Sequence, residues 1–193
     1  MSAPYRIVIV GAGALGSHLL LLSRNLPGQL TVIDFDRVER KNTLSQFHSR
    51  MGLGRNKAAA LQQAMQGLFG IRIQAVPHRL TADNAAALLS GADLVVDCVD
   101  NAPTRALIQS VVRESDIACL HGALAADGSY ARVMWDEVFS IDAGGEGQAT
   151  CEDGEHLPFI AVVAARMAMA IQRFLRDGEK CSVHLHPGGI LTL

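Results

Sequence analysis

The segment Gly11-Ala12-Gly13-Ala14-Leu15-Gly16 follows a run of four branched apolar residues, Ile7-Val8-Ile9-Val10, and precedes a stretch with helical character over His18–Arg24. Glycines placed there permit a tight turn and close backbone approach, and the helix behind them leaves N–H groups free to bind a phosphate. Asp34 stands 18 residues after Gly16, at the end of the next apolar run Leu30–Asp34. A carboxylate at that point can accept hydrogen bonds from ribose hydroxyls. Gly11, Gly13, Gly16 and Asp34 together indicate an adenosine nucleotide. They do not separate a nicotinamide dinucleotide from ATP, because both offer an adenosine ribose and a phosphate chain.

The residues that follow are more discriminating. The chain reads Asp34-Phe35-Asp36-Arg37-Val38, then Asn42-Thr43-Leu44-Ser45-Gln46, then Gly54-Arg55-Asn56-Lys57-Ala58, and later Asp97-Cys98-Val99-Asp100-Asn101 followed by Arg105. This order resembles the ubiquitin-activating-enzyme superfamily, in particular the ThiF/MoeB-type adenylyltransferases of thiamine and molybdopterin biosynthesis. Their pattern is D-x-D-x-V, N-L-x-R-Q, G-x-x-K-A and D-x-x-D-N with a following Arg, and the match covers residues 6–105. The resemblance implies that Asp34 holds the ribose and that Asn42 and Lys57 touch the phosphates, with Asp36 and Gln46 completing the nucleotide-binding set. It also implies that Asp100 binds a Mg²⁺ ion that neutralises departing pyrophosphate, a task suited to a hard oxygen donor at the end of a parallel strand. The plainer alternatives are turn chemistry for Asn42 and Gln46, a solvated helix charge for Lys57 and a helix cap for Asp100.

Two departures from that pattern and one further match matter. Ser45 stands where the family places arginine, and Arg50, Arg40, Lys41 and Arg55 are the candidates to replace it, Arg50 foremost because it lies between the asparagine motif and Lys57. The two CxxC pairs that bind structural zinc in many relatives are missing, so no zinc is expected; Cys181-x-x-His184-x-His186 does not make a four-ligand site on its own. Thr150-Cys151-Glu152-Asp153-Gly154, ahead of an apolar helix, is similar to the family's crossover-loop cysteine segment, which makes Cys151 the candidate nucleophile for a thioester or acyl-disulfide. Acidic neighbours Glu152, Asp153 and Glu155 oppose activation of that thiol. Cys98 and Cys119 fall within apolar strands and are expected to be buried, and His121, at a strand end, reads as hydrogen-bonded structure, the alternative implied by the resemblance being a place on the channel where the partner's C-terminal tail enters.

These residues must be carried by a scaffold, and the pattern of apolar runs supplies one. Strand signals at Ile7–Val10, Leu30–Asp34, Ile71–Val76, Asp93–Cys98 and Ile117–Leu120 alternate with helical signals at His18–Arg24, Lys57–Phe69, Ala82–Leu89 and Thr104–Glu114. Such alternation predicts an α/β, doubly wound, mostly parallel Rossmann-like sheet with helices on both faces. Strand propensity at Ser129–Trp135, a glycine-containing loop over Ser140–Glu155, an apolar helix over Pro158–Leu175, a strand signal at Ser182–His186, a Pro187-Gly188-Gly189 turn and the closing run Ile190–Leu193 form a C-terminal extension. The expected organisation is one adenylation domain over residues 1–193, with a nucleotide-binding core at 1–125 and a crossover loop, interface helix and tail at 126–193.

Composition bounds the function classes. The 193 residues are 49% apolar and carry 17 basic against 19 acidic side chains, a balance that argues against disorder and against a basic nucleic-acid binder. Charged residues reach only 19% and mean hydropathy is +0.21, a hint of oligomerisation; the resemblance implies a homodimer, with the apolar helix as its interface. No uninterrupted apolar run is long enough to span a bilayer, since Leu157–Ala165 is cut by Arg166, and the start of the chain lacks a secretory pattern. The cytoplasm is the expected compartment. The resemblance implies an ATP- and Mg²⁺-dependent adenylyltransferase acting on the C-terminal glycine of a small ubiquitin-like or sulfur-carrier protein ending in Gly-Gly. Two rivals remain at this stage: a catalytically silent relative that serves as a binding subunit, suggested by Ser45, and a nicotinamide-dependent oxidoreductase, which leaves Asn42, Lys57 and Asp100 without a role.

Overall fold

A computed structural model describes residues 4–141 and 154–192. In chain order the elements are β1 (Tyr5–Val10), α1 (Ala14–Leu22), β2 (Gly28–Ile33), α2 (Asn42–Ser45), α3 (Lys57–Phe69), β3 (Gln74–Val76), α4 (Ala85–Leu89), β4 (Leu94–Asp97), α5 (Ala102–Glu114), β5 (Ala118–Leu124), β6 (Ala131–Trp135), α6 (Leu157–Asp177), β7 (Val183–His186) and β8 (Gly189–Thr192). They build one eight-stranded sheet in the order β3-β2-β1-β4-β5-β6-β7-β8.

The first five strands are all parallel, with β1 in the middle, in register with β2 from Tyr5↔Gly28 to Val10↔Ile33 and with β4 from Ile7↔Leu94 to Val10↔Asp97. Strand order reverses between β1 and β4, and the carboxyl ends of these two strands open the crevice in which doubly wound sheets take ligands. β6, β7 and β8 add to β5 in antiparallel fashion and turn the expected mostly parallel sheet into a mixed one.

Alternate residues of β1 explain why a sheet of this kind needs two covering layers. Ile7 and Ile9 face a core built with α1, α3 and α6, whereas Val8 and Val10 face a second core built with α4 and α5. A strand buried on both faces must be apolar throughout, as Ile7-Val8-Ile9-Val10 and Leu94-Val95-Val96 are. Helix limits follow from local chemistry. Asn56 caps α3 by accepting the Ala59 N–H, and Gly70 ends it at φ +69°. Asn101 caps α5 by accepting the Thr104 N–H, with Pro103 in the first turn where its missing N–H is not needed.

The apolar helix differs from its expectation. α6 is not apolar all round: Phe159, Ile160, Val163, Ala164, Met167, Ile171 and Leu175 are buried, whereas Gln172, Arg173, Arg176 and Asp177 are exposed. Alanine and methionine at many positions hid this two-sidedness from the sequence. By length and composition alone its 21 residues suffice to cross a bilayer, despite Arg166, and that corrects the expectation that no such segment exists. In this fold the helix packs its apolar stripe against α1, β5 and β6, while Ala161, Val162 and Met169 on its other side are exposed and add to its hydropathy outside the core.

Candidate nucleotide site

The three glycines after β1 have different jobs. Gly11 adopts φ +96°, and its N–H donates to Ile33 O at 2.9 Å, which ties the turn to the end of β2; a Cβ here would lie 2.8 Å from Cys98 O. Gly16 lets α1 start against the turn, because a Cβ there would sit 1.9 Å from Gly11 O. Gly13 precedes the first helical residue and a Cβ on it would meet nothing within 4 Å. Two glycines are therefore required by packing, and the third faces open space where a phosphate can approach the backbone.

Asp34 is fixed by that turn. The Ala12 N–H donates to its Oδ2 at 2.6 Å and the Asp36 N–H to its Oδ1 at 2.7 Å. Burial pushes the Asp34 carboxyl up from its ordinary range, against these two N–H groups and the Lys57 cation, which pull it down. Asn56, beyond capping α3, donates its amide to Asp34 O at 2.7 Å and Asp36 O at 3.1 Å, so the loop bearing both acids is stitched to the helix bearing Lys57. Lys57 is buried with its Nζ 3.3 Å from Asp36 Oδ2. Asn56 carries no signal beyond its place before a helix, and nothing local to it announces these two contacts.

A cleft of about 100 Å³ lies over the carboxyl ends of β1, β2 and β4, and Gly11, Gly13, Asp34, Asp36 and Asp100 line it together with Phe35, Arg79, Leu80 and Val99. The structure thus brings together five of the expected site residues. Gly16, Asn42, Gln46 and Lys57 are absent from this lining. Asn42 is buried and its Oδ1 accepts the Glu39 N–H at 2.8 Å, while Gln46 Oε1 is buried without a partner among the described residues.

The reason is a clasp behind α1. His18 Nε2–H donates to Ser45 O at 3.1 Å, the Phe47 N–H to Ser17 Oγ at 2.9 Å and His48 Nε2–H to Ala12 O at 2.9 Å. Burial is the largest influence on both imidazoles and lowers both, His48 to about 4. Arg50, the expected substitute for the family arginine, is exposed on a short helical turn and outside the cleft lining. The arginine that does line the cleft is Arg79, whose guanidinium lies 3.7 Å from the Phe35 ring centre.

Asp100 is exposed at the cleft rim and does not cap α5, since that role falls to Asn101. Its oxygen donors, with those of Asp34 and Asp36 on the same cleft, suit a hard cation such as Mg²⁺, which takes one or two protein carboxylates and completes its shell with water or phosphate. Among the described residues no group of three or more His, Cys, Asp or Glu side chains is assembled for a metal, and Cys181, His184 and His186 form no such group. His184 instead pairs with the Tyr130 hydroxyl.

Cys98 and Cys119 are buried, and desolvation pushes both thiols far up, so neither is a nucleophile. Cys151 lies outside the described residues. His121 was expected to be ordinary hydrogen-bonded structure. It is fully buried between two carboxylates, with Nδ1 2.7 Å from Asp97 Oδ2 and Nε2 3.0 Å from Asp136 Oδ1.

Comparison with known proteins gives a consistent result. Residues 3–184 match the ThiF family. The sulfur carrier protein adenylyltransferase of Thermus thermophilus is 41% identical over 106 residues, which cover 53% of this chain and 39% of the relative. The molybdopterin-synthase adenylyltransferase of Salmonella typhimurium is 30% identical over 188 residues, covering 92% and 76%. A crystal structure of E. coli MccB with ATP superposes with a TM-score of 0.78 at 15% identity, covering 98% of this chain and 63% of that one, and shares the fold. The chain thus spans less than half the length of the Thermus relative.

Proposed function

The chain belongs to the ThiF family, and from that premise we propose that it is an ATP-dependent adenylyltransferase for the C-terminal carboxylate of a small ubiquitin-like or sulfur-carrier protein. The observation that carries this reading is the single cleft that gathers Gly13, Asp34, Asp36 and Asp100. A dinucleotide oxidoreductase leaves Asp100 and Lys57 idle, whereas a triphosphate uses both. Relatives named as sulfur carrier protein and molybdopterin-synthase adenylyltransferases support the choice.

In this reading Asp34 takes the ribose hydroxyls, and the N–H groups at Gly13 and the start of α1 take the phosphates. Lys57 exchanges its Asp36 partner for the incoming phosphate charge. Asp100 would hold Mg²⁺, which supplies charge screening for the leaving pyrophosphate. An ionised carboxylate oxygen of the partner's terminal glycine bonds to the α-phosphorus; the bond from that phosphorus to the bridging oxygen breaks, and its electron pair leaves on pyrophosphate. The attacking group is already charged at neutral pH, so alignment and electrostatics suffice and no general base is needed. Cys151 is the candidate to receive the acyl group with AMP leaving. The outer face of α6, with exposed Val162 and Met169 near exposed Leu44, is the candidate contact for a second copy.

ATP–pyrophosphate exchange, stimulated by a ubiquitin-fold protein ending in Gly-Gly, tests the reading. Exchange present in the parent, lost in Asp100→Ala and retained in Cys151→Ala is the expected result. A chain that binds ATP without exchange is instead a binding subunit, the reading that Ser45 favours, and hydride transfer from a nicotinamide would overturn both.

A further inference from the structure

We propose that His121 is a positioning residue of the cleft: by bridging Asp97 and Asp136 it fixes the loop that carries Asp100. The effect on nucleotide rests on the adenylyltransferase reading above, whereas the effect on the loop does not.

Asp100 has little of its own to hold it, its carboxylate meeting only the Asn101 amide, at 3.4 Å, among the described residues. Its place is inherited from residues 97–99. Asp97 Oδ1 accepts the Val99 N–H at 2.9 Å, and Asp97 Oδ2 accepts from Arg105 Nε and from His121 Nδ1–H, each at 2.7 Å. Arg105 Nη2 also holds Val99 O and reaches Gly122 O at 3.0 Å. The loop is therefore gripped at both its carboxylate and its carbonyl, and the grip is completed by His121.

The other ring nitrogen is engaged as well. His121 Nε2 lies 3.0 Å from Asp136 Oδ1, an oxygen that also accepts from Gln109 Nε2 at 2.7 Å, while Asp136 Oδ2 accepts from Arg113 Nε at 2.6 Å. Phe139 stacks on the imidazole at 4.3 Å between centres and 14° between planes, leaving the ring no rotational freedom to trade one carboxylate for another. The chain of contacts Arg105–Asp97–His121–Asp136–Arg113 thus runs from the cleft loop to the segment just beyond β6. Buried ion chains are seldom better for stability than apolar packing of equal volume, so their worth lies in fixing geometry.

The test separates the two ring nitrogens. An asparagine amide at 121 places an N–H toward Asp97, and a glutamine amide places one toward Asp136. Hydrogen–deuterium exchange on the full chain should show the Val99–Asn101 amides exchanging at least tenfold faster in His121→Gln than in the parent, with β1 unchanged, and should show little change in His121→Asn. Calorimetry with ATP should show Mg²⁺ strengthening binding at least fivefold over EDTA in the parent and in His121→Asn, and less than twofold in His121→Gln, with EDTA affinities alike. Thermal unfolding of each variant checks that the comparison is between folded proteins. Equal exchange at 99–101 in all three proteins, or an equal loss in both variants, overturns the inference. A parent that binds no ATP overturns the adenylyltransferase reading, and the hydrogen exchange then decides the role of His121 by itself.

Discussion

Gly13 and Gly16 sit three residues apart, yet alanine should do opposite things at the two. At Gly16 the new methyl would lie 1.9 Å from Gly11 O, so α1 must recede from the turn by more than about 1 Å before ordinary contact is restored. Overpacking of that severity costs about 3 kcal/mol, which in a chain of this size lowers Tm by about 6–12 °C. At Gly13 the methyl meets nothing within 4 Å, and the remaining cost is in the backbone, since φ −79° with ψ −146° lies outside the regions L residues favour; alanine there should cost about 1 kcal/mol. The same methyl occupies the space a phosphate would take beside the backbone, and ATP affinity should fall at least tenfold, about 1.4 kcal/mol. Thermal unfolding followed by circular dichroism and calorimetric titration with ATP read the two quantities separately. Unaltered ATP affinity in Gly13→Ala would refute the phosphate role of this loop, and an unaltered Tm in Gly16→Ala would refute the packing argument.

Other perturbations address the charges around the cleft. His48 is buried and its imidazole lowered to about 4, mainly by desolvation, so the unfolded chain binds the extra proton first; stability is present above about pH 6.5 and is lost as pH falls toward 4. His48→Gln should remove about 2–3 kcal/mol of the stability difference between pH 6.5 and 4.5 in urea unfolding, and an undiminished difference would contradict this assignment. Asp34 has the opposite sign: its carboxyl is raised by burial, so the folded state holds the proton more firmly and this contribution is lost as pH climbs through the raised value. Asp34→Asn should therefore gain on the parent in stability between pH 3 and 7 while losing ATP affinity, and a gap independent of pH would speak against it. In a chain carrying Cys151→Ser and Cys181→Ser, iodoacetamide at pH 8 should leave native Cys98 and Cys119 unmodified and label both in urea; labelling of the folded protein would show that burial does not govern these thiols.

What the sequence made legible was whatever a short window can encode. The runs Ile7–Val10 and Leu94–Asp97 announce strands buried on both faces, and α3 spans Lys57–Phe69 as its pattern indicates, because an asparagine cap and a closing glycine bound it locally. Asp34, Asp36 and Asp100 meet in one cleft because parallel strands deliver their carboxyl ends to one edge, a property of topology that alternating runs already imply. Asn42 and Gln46 belong to the same motif but are missing from the cleft lining, and nothing local announces the contacts of Ser45 with His18 and of Phe47 with Ser17 that tie their segment to α1. Position alone also failed between neighbours, since Asp100 and Asn101 are both capable caps and only the backbone shows that Asn101 takes the Thr104 N–H and leaves the carboxylate free at the cleft.

The buried charges were hidden for a related reason. His121 lies 24 residues from Asp97 and 15 from Asp136, and a histidine in an apolar strand reads as a tolerated polar residue until two other strand ends are known to close around it. The pairing of β5 with β4 sets His121 opposite Asp97, and the antiparallel return of β6 then brings Asp136 to the other side of the ring. The mixed sheet therefore does more than extend the core. Its antiparallel half reaches, through one imidazole, the loop that carries Asp100 at the cleft of the parallel half, and for that reason loosening His121 should be felt at Asp100 rather than at β1.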